Sequence, residues 1–308
     1  MSTRNWALLG ALMVSIIYGV TFTIAKDVMP EFVKPFGFIV LRVGGSALLF
    51  WLVALFIKAE KIALNDFPRI IASAFFGVAL NMLTFFEGLS LTSPIMASVI
   101  MVTTPMIVLV LSAIIMKEKI LKWKAFGIVL GLAGTVLLIL YGKSIGNASN
   151  AMWGNFLVFV NAVSYGFYLI IVKKLMEKYN AFSFVKWIYL FGFMMVLPFG
   201  WKQVEEIQWE IIPMSIYAKI LFVVVISTFL TYLLNLLSMK ELKPTIVAVF
   251  IYLQPFFATV FAIGLGKDEL SFVKIISATM ESIWSRKRKN SSQAVNSCCF
   301  ACNLICLA

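Results

Sequence analysis

A small set of polar side chains interrupts the apolar runs of this 308-residue chain. Their types suit holding a solute rather than making or breaking its bonds. Arg42 is the one cation well inside an apolar run. If that run crosses a bilayer, such a charge faces the interior and marks a pathway or a paired group. Arg42 therefore reads as a clamp for an anion or carboxylate, or as an arginine snorkelling from the first turns of its helix. Glu87 reads as a proton-coupling carboxylate or the partner of Arg42, or else as an interfacial carboxylate near a span end. Asn81, Asn161 and Asn235 each need a partner, on another helix or on a bound solute. Tyr18, Tyr165 and Tyr252 offer a ring and a hydroxyl to a cavity, or to ordinary packing. Pro105 and Pro255 remove the hydrogen bonds to the carbonyls of Met101 and Ile251. A carbonyl freed at membrane depth must find a partner or line a cavity. Each proline is thus a hinge or solute-facing kink, or a static packing kink. Thr104 and Gln254 stand just before them, and Gln254 is a candidate hydrogen bonder on the pathway.

The elements that must position these residues follow from composition. The chain is 62% hydrophobic and 13% charged, with a mean hydropathy of +0.98. An ordinary soluble domain is about 25% charged, so this chain is expected to be an integral membrane protein. Its apolar runs are about twenty residues long, the length of a helix crossing about 30 Å of hydrocarbon. They do not show the short alternation of barrel strands. The net charge of +12 sits in short loops, where it sets topology and does not point to nucleic acid. There is no histidine, which excludes histidine-based metal or triad chemistry. No catalytic residue, metal or cofactor is assigned. All four cysteines fall in the last eleven residues, so no disulfide framework is expected in the body. The first run, Trp6 to Ala25, lacks a small-residue cleavage site and reads as a span rather than a signal peptide.

Spans are expected at about 6–25, 36–57, 68–91, 94–116, 124–141, 152–172, 183–201, 213–237 and 245–266. With the amino terminus in the cytoplasm, inside segments carry fourteen Lys and Arg against seven outside, the expected bias. The run from Pro94 to Lys119 returns at Pro244 to Glu269 without a gap, Pro94 matching Pro244 and Pro105 matching Pro255. Trp6, Tyr18, Gly19 and Lys26 match Trp153, Tyr165, Gly166 and Lys173 at an offset of 147. Such self-similarity marks a repeat. Each copy counts five spans, and an odd count inverts the second copy in the membrane. Pro94 and Pro244 start their spans, where proline is tolerated. Gly127, Gly131 and Gly134 form a packing face on the fifth span, within the bundle or at a homodimer. The tenth span, expected near 274–291, is interrupted: after residue 279 the chain carries Glu281 and the basic run Arg286 to Lys289, then a Ser- and Cys-rich tail. Each charge would cost about 2.5–3.5 kcal/mol near the bilayer centre. The tail reads as the product of a frameshift, a disrupted gene or a recombination scar. Its CxxC-like spacing reads otherwise as a zinc motif.

With those residues in place, the chain resembles the drug/metabolite transporter superfamily, and within it the EamA-type permeases. The resemblance rests on the W-x11-YG stretch ending at Gly19, the FxxLR segment Phe38 to Arg42, the TSP turn Thr92 to Pro94, Pro105 and Pro255, and the KEK cluster at 117–119. It implies an all-α polytopic ten-helix bundle of two inverted five-helix repeats, both termini inside, around a central solute pathway. Here the tenth helix is absent or disrupted. The units are a first repeat at 1–143, a second, truncated repeat at 150–278, and the aberrant tail at 279–308. The implied function is secondary-active export or exchange of a small organic metabolite or amphipathic compound by alternating access, not an enzyme activity. The implied location is the bacterial inner membrane, with the solute and the lipid bilayer as partners. Two other readings stand beside it: a membrane-embedded enzyme acting on a lipid or isoprenoid, and an inactive, disrupted transporter.

Overall fold

The computed structural model describes residues 3–56, 60–115 and 148–264. The expected fifth span with Gly127, Gly131 and Gly134, the KEK cluster and the tail all lie outside the described residues. Within them the chain is helical, with no strand, and eight helical stretches are long and apolar enough to cross a membrane. They coincide with the expected spans and run a few residues further at most ends. α1 is Thr3–Val28 and α2 is Pro35–Phe56. The third span is α3 (Phe67–Ala74), a π-helical segment π1 (Phe75–Ala79) and α4 (Leu80–Leu91). The fourth is α5 (Pro94–Met101) and α6 (Thr104–Ile115). α7 (Ala148–Met176) and α8 (Ala181–Glu205) follow. The eighth span is α9 (Met214–Val224), π2 (Val225–Leu230) and α10 (Thr231–Glu241). The ninth is α11 (Pro244–Val249), a 3-10 turn (Phe250–Leu253) and α12 (Gln254–Gly264).

Local chemistry explains the ends and the breaks. Ser93 caps α5, its hydroxyl accepting from the Met96 N–H at 3.2 Å. Asn180 caps α8 in the same way through Phe182. The fourth span breaks at residues 102–103, just before Pro105, and the ninth at the 3-10 turn Phe250–Leu253, just before Pro255, as expected where the ring removes a hydrogen bond. The two π segments were not expected. They sit at the middle of the third and eighth spans and are related by the repeat offset of 150 residues. A π turn carries no residue signature as plain as proline, and such bulges are often found at functional sites.

Contact registers give the handedness of the repeat. Gly88 meets Gly154, Asn81 meets Asn161 and Phe76 meets Ser164, so the third span runs antiparallel to α7. Phe22 meets Phe85 and Lys26 meets Leu89, so α1 runs parallel to the third span. α1 and its repeat counterpart α7 therefore point in opposite directions, which is the inversion. Packing obeys the same relation. The most extensive interfaces are α2 on α8, α4 on α7, α1 on α10, α1 on α12 and α6 on α7. Exchanging the halves turns α4–α7 into α10–α1, α6–α7 into α12–α1, and α2–α8 into itself. At the α4–α7 crossing a Cβ on Gly88 would sit 2.7 Å from the Gly154 carbonyl oxygen, so only glycine allows that approach.

Several lysines of the topology count lie in helices, and two of them, related by the repeat, satisfy helix ends. Lys26, in the last turn of α1, donates to the carbonyls of Leu89 at 3.0 Å, Ser90 at 2.8 Å and Thr92 at 3.2 Å. Its counterpart Lys173 donates to Met239 O at 2.7 Å. Both ammonium groups satisfy carbonyls at a helix carboxyl end, where the dipole favours a cation. A charged hydrogen bond contributes about 1.5–3 kcal/mol. Lys26→Met should therefore lower the melting temperature of the detergent-solubilised protein more than Lys173→Met does, while Lys26→Arg stays near wild type. Equal losses for the two methionine variants would contradict this account of the helix ends.

Candidate functional site

Between the halves lies a cavity of about 80 Å³, walled by every described span. Space on this scale holds on the order of five waters. α1 contributes Tyr18, Thr21 and Phe22; α4 contributes Asn81, Met82, Phe85 and Phe86. α7 adds Asn161 and Tyr165, while Arg42, Tyr189, Tyr232 and Gln254 come from α2, α8, α10 and α12. The breaks reach it as well, through Met101 before the Pro105 kink and Ile251 before the Pro255 kink. So do the π segments, through Gly77 and Thr228. Four repeat-related pairs face one another here: Tyr18 with Tyr165, Arg42 with Tyr189, Met82 with Tyr232, and Met101 with Ile251. The cavity thus lies on the pseudo-two-fold axis that relates the halves.

Arg42 is buried, 5% exposed, and does not snorkel. Its Nε donates to Thr228 Oγ1 and its Nη2 donates to the Ser227 carbonyl at 3.2 Å. Its guanidinium carbon stands 4.8 Å above the Phe86 ring. The Thr228 hydroxyl donates in turn to the Val223 carbonyl at 2.7 Å. All these partners are neutral, and Arg42 forms no ion pair among the described residues. Of the readings open for Glu87, pairing with Arg42 is not made: Glu87 is half-buried near the end of α4, off the cavity wall, as an interfacial carboxylate would be. One helical position decides this: Phe86 stands over the guanidinium, and the next residue points about 100° away.

The amides find partners across the repeat boundary. Asn161 Nδ2 donates to the Asn81 carbonyl at 2.7 Å, and Asn81 Nδ2 returns to the Asn161 carbonyl at 3.4 Å. Asn161 Oδ1 keeps no hydrogen-bond partner among the described residues, nor does the Tyr189 hydroxyl. Asn235 is buried behind the wall and donates to the Tyr165 hydroxyl. Tyr252 lies in the 3-10 turn, half-buried and away from the wall. Gln254 is 4% exposed and on the wall; Thr104, its counterpart, is buried with its hydroxyl lacking a partner among the described residues. Sequence reasoning missed Tyr189, Tyr232 and Thr228. The repeat offset could have found the first, as the counterpart of Arg42.

Each π turn accepts a hydrogen bond from the opposite half. Ser164 donates to the Phe76 carbonyl of π1 at 2.6 Å, and Arg42 donates to the Ser227 carbonyl of π2. The Gly77 position of π1 is pressed against the Tyr168 ring, closer than any Cβ would permit. Away from the cavity, Asp66 is buried and joins the loops after α2 and α7: it pairs with Arg69 at 2.8 Å and Lys178 at 3.1 Å, and accepts from Tyr179 at 2.9 Å. At another span end, Lys34 pairs with Glu206 at 2.6 Å.

Comparison with known proteins agrees with this architecture. The EamA-like transporter family matches residues 5–140 and 152–280. An uncharacterized transporter of Archaeoglobus fulgidus is 28% identical over 230 residues, covering 75% of this chain and 78% of the relative. The uncharacterized transporter YyaM of Bacillus subtilis is 24% identical over 271 residues, 86% of this chain and 88% of the relative. YetK, an uncharacterized transporter of the same organism, is 23% identical over 213 residues; the match takes in 69% of this chain and 64% of YetK, a little under two thirds of its length. A solved structure described as "Crystal structure of protein" superposes with a TM-score of 0.65 at 16% identity, covering 91% of this chain and 95% of the other. That likeness concerns the fold.

The two amide bonds differ in length, and the difference is testable. Asn161→Ala removes the shorter one and should cost about 1 kcal/mol of stability, while Asn81→Ala costs roughly half as much. Thermal melts of the two variants read the order directly, and a larger loss for Asn81→Ala would refute it.

Proposed function

Since the chain belongs to the EamA-like transporter family, we propose that this integral membrane transporter moves a small organic solute by alternating access of its inverted halves. It works as an exporter or exchanger in a bacterial plasma membrane, with its amino terminus in the cytoplasm. The observation that carries the mechanism is the cavity on the pseudo-two-fold axis, walled by four repeat-related residue pairs. A site on that axis meets both halves equally, so rocking one half against the other exposes it first to one side and then to the other. The paired proline breaks at Pro105 and Pro255 end on that wall and supply a bend in each half at the same repeat position. Tyr18, Arg42, Asn81, Asn161, Tyr165 and Gln254 hold the solute, and Asn235 orients the Tyr165 hydroxyl from behind.

Counterflow in proteoliposomes, with amino acids, carboxylates and amines loaded in turn, tests the activity. Pro105→Ala and Pro255→Ala should each slow exchange about tenfold while leaving solute affinity within about twofold, the pattern of a gating step. Unchanged exchange rates in both variants would remove the hinge. Orientation has a separate check, in a background with Cys298, Cys299, Cys302 and Cys306 changed to serine. Single cysteines at Lys61 and Lys202 should react with an impermeant maleimide from opposite faces, Lys61 from the cytoplasmic one.

A further inference from the structure

We propose that the solute is a small organic monoanion, held by its carboxylate against Arg42, and that cations and dianions are excluded. The inference rests on the transport reading above and adds the charge class of the cargo.

Three observations carry it. The Arg42 guanidinium has five N–H donors, and its protein hydrogen bonds are to Thr228 Oγ1 and Ser227 O. Those partners and the Phe86 ring fix the group in place without neutralising it. A charge held at membrane depth with only neutral partners among the described residues is costly, and a planar carboxylate matches its remaining fork. Second, among the described wall residues Arg42 is the only charged one. An ammonium would meet no counter-charge and would be repelled by the guanidinium. A dianion would be left with one charge unpaired in a medium where that is expensive. Third, two further buried polar atoms belong to wall residues and have no hydrogen-bond partner among the described residues: the Tyr189 hydroxyl and Asn161 Oδ1. The Asn161 amide cannot be turned around, because its Nδ2 is committed to the Asn81 carbonyl at 2.7 Å. Oδ1 can only accept, so the cargo brings a hydroxyl or N–H donor as well as its carboxylate. The Tyr189 hydroxyl can donate to the same carboxylate. Phe22, Phe85, Met82, Met101 and Ile251 cover the remainder, which suits a short apolar skeleton in a cavity of about 80 Å³.

The matched probes are lactate, lactamide and 1-amino-2-propanol, which share a hydroxylated three-carbon skeleton and differ in charge. With the full-length protein in detergent, lactate in excess of its Kd should raise the melting temperature by about 2–4 °C, because only binders of the folded state shift the melt. Lactamide, the amine and the dianion malonate should leave it unmoved. Arg42→Gln should abolish the lactate shift. If that variant fails to fold, the wild-type comparison of lactate with lactamide still decides. A shift from lactamide or the amine equal to that from lactate overturns the proposal, as does no shift from lactate. Counterflow separates this from the broader reading. Exchange of amines or amides with none of carboxylates removes the anion assignment and leaves transport standing; no exchange of any solute removes transport as well.

Discussion

The governing constraint is that hydrocarbon supplies no hydrogen bonds, so each backbone group freed inside the membrane must be met by protein or by a cavity. This fold frees such groups on purpose-built sites: two π turns and two proline breaks, all near the middle of their spans. Each π turn takes a hydrogen bond from the other half, π1 from Ser164 and π2 from Arg42, and the Ser227 carbonyl of π2 accepts from Thr231 of its own span as well. The halves are therefore joined by an exchange of donors as well as by apolar packing. Both proline breaks meet the space those π turns enclose. The irregular backbone and the cavity are one feature seen from two sides.

Symmetry places the cavity, and departures from symmetry give it character. Tyr18 and Tyr165 keep the two-fold relation in side-chain type; Arg42 and Tyr189 break it. A perfectly duplicated wall would carry two arginines, too much positive charge for a space this small. With a tyrosine in the second position, the wall holds one charge, a neighbouring hydroxyl and a ring. Tyr189 also packs edge-on to Tyr232 at 4.8 Å and beside Phe50 at 4.7 Å, which fixes its ring while leaving the hydroxyl unpaired.

Much of this was legible in the sequence, because membrane spans and repeats are written in long, redundant signals. The proline at the same place in two apolar runs announced both the repeat and the helix breaks. Six of the nine pathway candidates, including Arg42 and Asn161, do lie on the wall. What was hidden depends on rotation about a helix axis. Glu87 and Phe86 are adjacent in sequence, yet only Phe86 faces Arg42, and no apolar period exists along an all-round hydrophobic helix to fix which side faces inward. The π turns were hidden for a related reason: adding a residue to one turn leaves composition and hydropathy unchanged, and it rotates everything beyond it.

The bond between Arg42 and the π2 segment spans 186 residues of chain. At a synthesis rate of about 5–20 residues per second, the ribosome needs roughly 10–40 s to produce the acceptors after the arginine has emerged. During that interval the second span holds a cation whose native hydrogen-bond acceptors do not yet exist. Insertion of the first half must therefore be provisional, with α2 kept near water or the insertion machinery. The polypeptide commits to its final arrangement only when its eighth span arrives.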